Sequence, residues 1–220
     1  MRGKGTSMKI EGVKLRLYAV TDRAWAADED ALMDQIAAAI DGGAGIVQLR
    51  EKHLDHDAFL QEAERFVALC REKGVISIIN DAVDIAAAVG ADGVHVGQSD
   101  LAAGRAREVL GPDKLIGVSA HSVEEALAAQ AAGADYLGVG AAFVTGTKAD
   151  AAPISRDTIR AITAAVDIPV VAIGGISRDN ITELAGCGLD GVAVVSALFA
   201  QKDVKTAAKE LYALSESIAR

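Results

Sequence analysis

The chain has 220 residues, 51% hydrophobic but only 4% aromatic, with 22 Gly and 3 Pro. That length predicts one domain with an aliphatic core, and the composition excludes a Pro-rich linker or a long disordered tail. Thirty-one acidic against 22 basic residues leave a net charge of -9, which excludes non-specific nucleic-acid or membrane-surface binding.

An anionic ligand would therefore need local cations or a metal. Cys70 and Cys187 lie far apart and fit no metal-binding spacing, so both read as buried thiols in a reducing cytoplasm. No apolar run reaches membrane-spanning length and no signal peptide is apparent, so a cytoplasmic protein without a membrane partner is expected.

Taken in chain order, residues 1–10 read as a tail and 11–220 as one catalytic domain. Short Val- and Ile-rich runs then recur at 15–20, 45–49, 75–79, 93–96, 115–118, 136–139, 170–173 and 191–195. Such runs are the pattern of parallel strands buried on both faces. Between them lie segments with helical spacing at 30–41, 58–73, 101–110, 124–132, 155–165, 180–185 and 203–218. Ser122 to Glu125 has the form of a capping box. Eight strand-and-helix alternations allow a closed barrel or an open doubly wound sheet. The count and the length favour a single-domain (β/α)8 TIM barrel, and no Gly-x-Gly-x-x-Gly follows the first strand.

In a barrel the chemistry sits at the C-terminal strand ends. The second run ends in Gln48, Leu49, Arg50, Glu51 and Lys52. Alternation puts Gln48 and Arg50 on one face, and Lys52 continues past the rim. An amide and two cations there suit a diphosphate, against the alternative of a solvated loop with internal Glu–Arg pairing. Asn80 and Asp81 end the third run, and Asp100 follows the fourth. Two carboxylates on adjacent strands can share one hard cation such as Mg²⁺, although Asp100 also fits a helix N-cap.

The fifth run ends in Ser119, Ala120 and His121. Ser119 can donate into the mouth, and His121 reads as a rim histidine or an acid/base. His95 reads as structural within a polar layer. A long segment after the sixth run carries Thr145, Gly146, Thr147 and Lys148, a group suited to phosphate oxygens and to a lid. Gly174 and Gly175 after the seventh run, with Val195 and Ser196 after the eighth, predict a monophosphate pocket separate from the diphosphate cluster.

From Leu15 onward these motifs, in this order, resemble the thiamine-phosphate synthase family. The resemblance rests on Leu17-Tyr-Ala-Val-Thr-Asp22, Gln48-Leu-Arg-Glu-Lys52, Ile79-Asn-Asp81 and Gly93-Val-His-Val-Gly-Gln-Ser-Asp100. Gly117-Val-Ser-Ala-His121, Thr145-Gly-Thr-Lys148, Ile173-Gly-Gly-Ile176 and Val194-Val-Ser-Ala197 complete it.

It implies a Mg²⁺-dependent transferase that joins a hydroxymethylpyrimidine diphosphate to a thiazole phosphate, carboxylated or not, by a dissociative displacement. It implies that Gln48, Leu49, Arg50, Glu51, Lys52, Asn80 and Ser119 hold the pyrimidine diphosphate, and that Asp81 and Asp100 ligate the metal. Lys148 would reach the diphosphate, and Thr145, Gly146 and Thr147 the thiazole. Gly175, Val195 and Ser196 would take its phosphate. Partners are then small molecules, with room for a homodimer.

Two departures stand out against the family pattern. Val144 and Gly146 replace Pro and Ser of a Pro-Thr-Ser-Thr-Lys lid, and Ala82 stands where an Arg is frequent. Rival readings are a thiazole tautomerase-like isomerase, with His121 the residue to watch, and a non-catalytic barrel that binds thiamine precursors. A sugar-phosphate isomerase or epimerase would explain the late glycines but not the diphosphate cluster.

Overall fold

The apolar runs become eight parallel strands: β1 (Leu17–Val20), β2 (Ile46–Leu49), β3 (Ile76–Asn80), β4 (Gly93–Val96), β5 (Leu115–Ala120), β6 (Tyr136–Gly140), β7 (Val170–Ile173) and β8 (Gly191–Val194). Each pairs with the next in sequence, and β8 pairs with β1, which closes the barrel. The structure, a computed structural model, describes residues 10, 12–98, 102–145 and 153–220. Ile10, the last residue of the expected tail, packs against the foot of the barrel interior.

Around the barrel run α1 (Gly12–Leu15), α2 (Glu29–Asp41), α3 (His56–Lys73), α4 (Val83–Val89), α5 (Ala102–Leu110), α6 (Val123–Ala131), α7 (Arg156–Ala165), α8 (Ser196–Phe199) and α9 (Val204–Ile218). Side-chain caps set where several of them start. Asp28, Asp55, Ser122, Ser155 and Asp203 each accept a backbone N–H from the first turn of the helix they precede. These contacts satisfy donors that a helix N-terminus leaves open.

Strand alternation divides the apolar residues between two cores. Leu17 and Ala19 face outward and pack with Leu32 and Ile36 of α2 and Phe66 of α3. Tyr18 and Val20 face inward with Ile46, Ile78, Leu115 and Tyr136. Parallel strands covered on both faces must be apolar on both, so they read as continuous hydrophobic runs. Each buried Leu or Ile contributes about 1.5–3 kcal/mol relative to its exposed state.

Three differences from the predicted elements stand out. The run expected at 15–20 opens with the single turn α1. The short α4 was not predicted: it has seven residues, and its N-cap, Ala82, makes no side-chain cap bond. The segment predicted as a helix at 180–185 is a 3-10 turn, Ile181–Leu184. Gly186 and Gly188 follow it with positive φ and stop it from lengthening.

Candidate active site at the strand C-termini

Residues from most of the strand ends converge on one cleft with an empty volume of about 920 Å³, open to solvent. Gln48, Arg50, Asn80 and Ser119 line one side; Thr145, Gly175, Val195 and Ser196 line the other. The expected second pocket is thus the far end of the same cleft. A barrel mouth has one opening, so ligand groups held by β2 and by β8 share it.

Gln48 is nearly fully buried, and its Nε2 donates to the Tyr18 hydroxyl at 2.7 Å. The Arg50 backbone N–H donates to Thr21 Oγ1 at 2.9 Å, which fixes the strand end beneath the side chain. The Arg50 guanidinium itself has no ion-pair partner among the described residues. A half-buried cation that lines a cleft, with no ion-pair partner among the described residues, has the chemistry to bind an anion.

Three members of the same motif point elsewhere. Leu49 is fully buried between barrel and helices. Lys52 is exposed and is not among the residues lining the cleft. Glu51 turns away to accept from Arg23 Nε at 3.1 Å, and Arg23 also pairs with Glu62 of α3. Internal Glu–Arg pairing therefore exists, but with Arg23 rather than Arg50. Burial, helped by the nearby Glu51, pushes the Glu62 carboxyl up to about 7.

Asp81 is exposed at the end of β3 with φ of 60, the one non-glycine residue in the left-handed region among those described. Asp tolerates that conformation better than most residues, and such outliers gather at functional sites. Asn80 Nδ2 donates to Asp81 Oδ2 at 2.7 Å, which orients the carboxylate. Asp100, Gly146, Thr147 and Lys148 lie outside the described residues.

The loops after β6 and β7 are bonded to each other. Ala142 N–H donates to the Ile173 carbonyl at 2.9 Å and Phe143 N–H to that of Gly174 at 3.0 Å. Gly175 has φ of 66, and a Cβ there would stand 2.4 Å from the Val144 carbonyl. Only glycine fits that position. At the rim, His121 Nδ1 lies 3.1 Å from Glu125 Oε2, and the His121 backbone N–H donates to the same oxygen at 2.6 Å. Glu125 so reaches past the Ser122 cap to hold His121.

The family model described as thiamine monophosphate synthase matches residues 17–198, from the first strand into the turn after the last. The chain belongs to this family. A thiamine-phosphate synthase of Ruminiclostridium cellulolyticum is 50% identical over 195 residues, covering 89% of this chain and 92% of that one. One of Chloroflexus aurantiacus is 51% identical over 203 residues, covering 92% and 93%. The solved thiamine phosphate pyrophosphorylase of Pyrococcus furiosus is similar with a TM-score of 0.85 at 39% identity, over 94% of this chain and 98% of that chain.

Within this family member, two residues near the site escaped sequence reasoning. Tyr18 and Tyr136 are fully buried in the barrel interior, and their hydroxyls meet at 2.8 Å. Two tyrosines at inward strand positions, in a chain with 3 Tyr and few aromatics, were the signal. A buried hydroxyl needs a partner, so an inward Tyr implies a polar layer. His95 occupies that layer, as expected.

Proposed function

We propose that the chain condenses a hydroxymethylpyrimidine diphosphate with a thiazole phosphate, releasing diphosphate and forming thiamine phosphate. The relatives' activity supports this reading, and one observation carries it to these residues. Arg50, which has no ion-pair partner among the described residues, shares a single cleft with Gly175 and Ser196, so that two anionic groups would have separate places in it.

In the proposed reaction the bond between the pyrimidine methylene carbon and the diphosphate oxygen breaks, and its electron pair leaves with diphosphate. The thiazole nitrogen lone pair then forms the new carbon–nitrogen bond. Arg50 would hold the departing diphosphate, and its bidentate fork strengthens as charge accumulates there. Asn80 and Ser119 would orient the pyrimidine side. Backbone N–H groups near Gly175 and Ser196 would hold the thiazole's phosphate end. No nucleophilic side chain is required.

Mg²⁺ fits the donors present. Asp81 offers an oriented, exposed carboxylate next to Asn80, which lines the cleft, although Asp81 itself does not line it; Mg²⁺ is commonly held by one or two carboxylates with water and phosphate oxygens completing its shell. Asp81, with Asp100, would hold it; when bound, it supplies positive charge that offsets the charge on diphosphate. Lys52 and Lys148 belong to the same proposal as further cations for the diphosphate.

The test is a two-substrate assay with purified protein and Mg²⁺. Stoichiometric diphosphate and thiamine phosphate are expected, and a chelator should abolish both. Supplying both substrates and Mg²⁺ without forming either product would overturn the assignment. Isomerisation of a thiazole alone would favour the tautomerase reading through His121.

A further inference from the structure

Beneath the cleft a chain of hydrogen bonds crosses the barrel. It starts where Gln48 Nε2 on β2 donates to the Tyr18 hydroxyl on β1. The Tyr18 and Tyr136 hydroxyls then meet across the interior, from β1 to β6. The Tyr136 hydroxyl lies 3.2 Å from His95 Nδ1 on β4, and His95 Nε2 lies 3.1 Å from Ser119 Oγ on β5. Gln48, His95 and Ser119 line the cleft, whereas both tyrosines are buried below it.

Space for this layer is reserved in the backbone. A Cβ on Gly117 would stand 2.1 Å from Tyr136 Cζ and 2.5 Å from His95 Nδ1. On Gly138 it would stand 3.1 Å from His95 Cε1. The Tyr136 ring centroid is 5.9 Å from that of Tyr18 and 5.6 Å from that of His95, so the three rings wedge one another.

Donor counting gives the chain a direction. An amide N–H only donates, so the Tyr18 oxygen accepts from Gln48. The Tyr18 hydrogen then goes to Tyr136, and the Tyr136 hydrogen to His95 Nδ1. The imidazole hydrogen stands on Nε2 and goes to Ser119 Oγ. Burial pushes both tyrosines up, so both keep their hydrogens near neutral pH. Counted over the described residues, Ser119 is left with its own hydrogen to offer a ligand. The opposite direction closes only with the Gln48 amide turned over, and then both ends switch together.

We propose that Tyr18, Tyr136 and His95 are positioning residues that set the hydrogen-bond polarity of the cleft, with His95 a neutral Nε2–H tautomer, Ser119 a donor and the Gln48 carbonyl an acceptor toward the heterocycle. The substrate side of this proposal rests on reading Gln48 and Ser119 as pyrimidine contacts. The matching ligand is an aromatic heterocycle with a lone-pair nitrogen for Ser119 and an N–H for Gln48. Its recognition is decided by three residues that need not touch it.

The decisive experiment is ¹⁵N NMR of the imidazoles in the whole protein near neutral pH. The chain has 4 His, and His95→Gln identifies the His95 signals by their loss. A neutral Nε2–H pattern is expected for His95. An Nδ1–H tautomer or a doubly protonated ring would overturn the proposal. Tyr136→Phe keeps the ring and cuts the chain. It should raise KM for the pyrimidine diphosphate roughly tenfold, leave KM for the thiazole phosphate within about twofold, and mix the His95 tautomers. Equal changes in both KM values with an unmoved His95 signal would refute the positioning role. If that variant fails to fold, the native spectrum still decides. The spectrum needs no turnover, so a protein without condensing activity would remove the substrate assignment separately from the tautomer.

Discussion

Arg50 and Asp81 follow the ends of the adjacent strands β2 and β3. Arg50 has no ion-pair partner among the described residues, and Asp81 holds an uncommon backbone conformation with its carboxylate oriented by Asn80. Arg50→Lys keeps the charge but loses the planar fork, so kcat/KM should fall about tenfold or more in steady-state assays. Asp81→Asn keeps a side chain suited to positive φ while removing the charge. Turnover should fall about a hundredfold or more with an unchanged melting temperature. Wild-type activity in Asp81→Asn would refute the metal role.

Glu62 is a different kind of residue. Its side chain is 1% exposed, and its Oε1 has no hydrogen-bond partner among the described residues. Its folded pKa is raised from 4.5 to about 7, chiefly by burial. The folded state therefore binds the proton more tightly than the unfolded chain. The stability this contributes is full below about 4.5 and is lost as pH rises to about 7. Glu62→Gln should raise the melting temperature at pH values above this window, with little gain below it. Thermal scans across pH check the sign.

At the scale of elements, the β6 and β7 loops act as one body because their backbones bond to each other. Gly175 lies at that contact. Gly175→Ala forces a Cβ into a positive φ and against the Val144 carbonyl, at a cost of about 1–3 kcal/mol. The melting temperature should drop, and KM for the thiazole phosphate should rise more than KM for the pyrimidine diphosphate. Equal shifts in both would place Gly175 outside the phosphate end. One helix start was legible from its cap: Ser122 accepts the Glu125 backbone N–H. Ala-rich α4 was not, because seven residues without a side-chain cap carry little periodic signal.

On the scale of the whole molecule, stability and chemistry occupy opposite ends of the barrel. Asp92, Asp135 and Asp190 immediately precede β4, β6 and β8, and each accepts a backbone N–H from the preceding odd strand, at Ser77, Ile116 and Val170. This repeat escaped sequence reading. Asp190 also pairs with Arg220, while Arg16 bonds the backbone carbonyls of both, so the residue before β1 and the last residue meet under the β8–β1 closure. Asp190→Ala should cost about 1–3 kcal/mol, roughly several degrees in melting temperature, with kcat of the folded enzyme unchanged. A loss of kcat without a loss of stability would contradict this division.

The barrel was legible in the chain, because strands buried on both faces must be written as unbroken Val and Ile runs. Part of the rim was legible too: Gln48, Arg50, Asn80 and Ser119, read from the strand ends, line the cleft. Side-chain direction past the last strand residue was beyond the sequence. Leu49 and Glu51 turned away from the cleft, since the pleat sends one outward and Arg23, distant in sequence, captures the other. The two expected pockets became one cleft for a related reason: only closure of the barrel brings β2 and β8 to the same opening. The polar layer under it, from Gln48 to Ser119, draws on five strands, and its proton order exists only once their side chains meet.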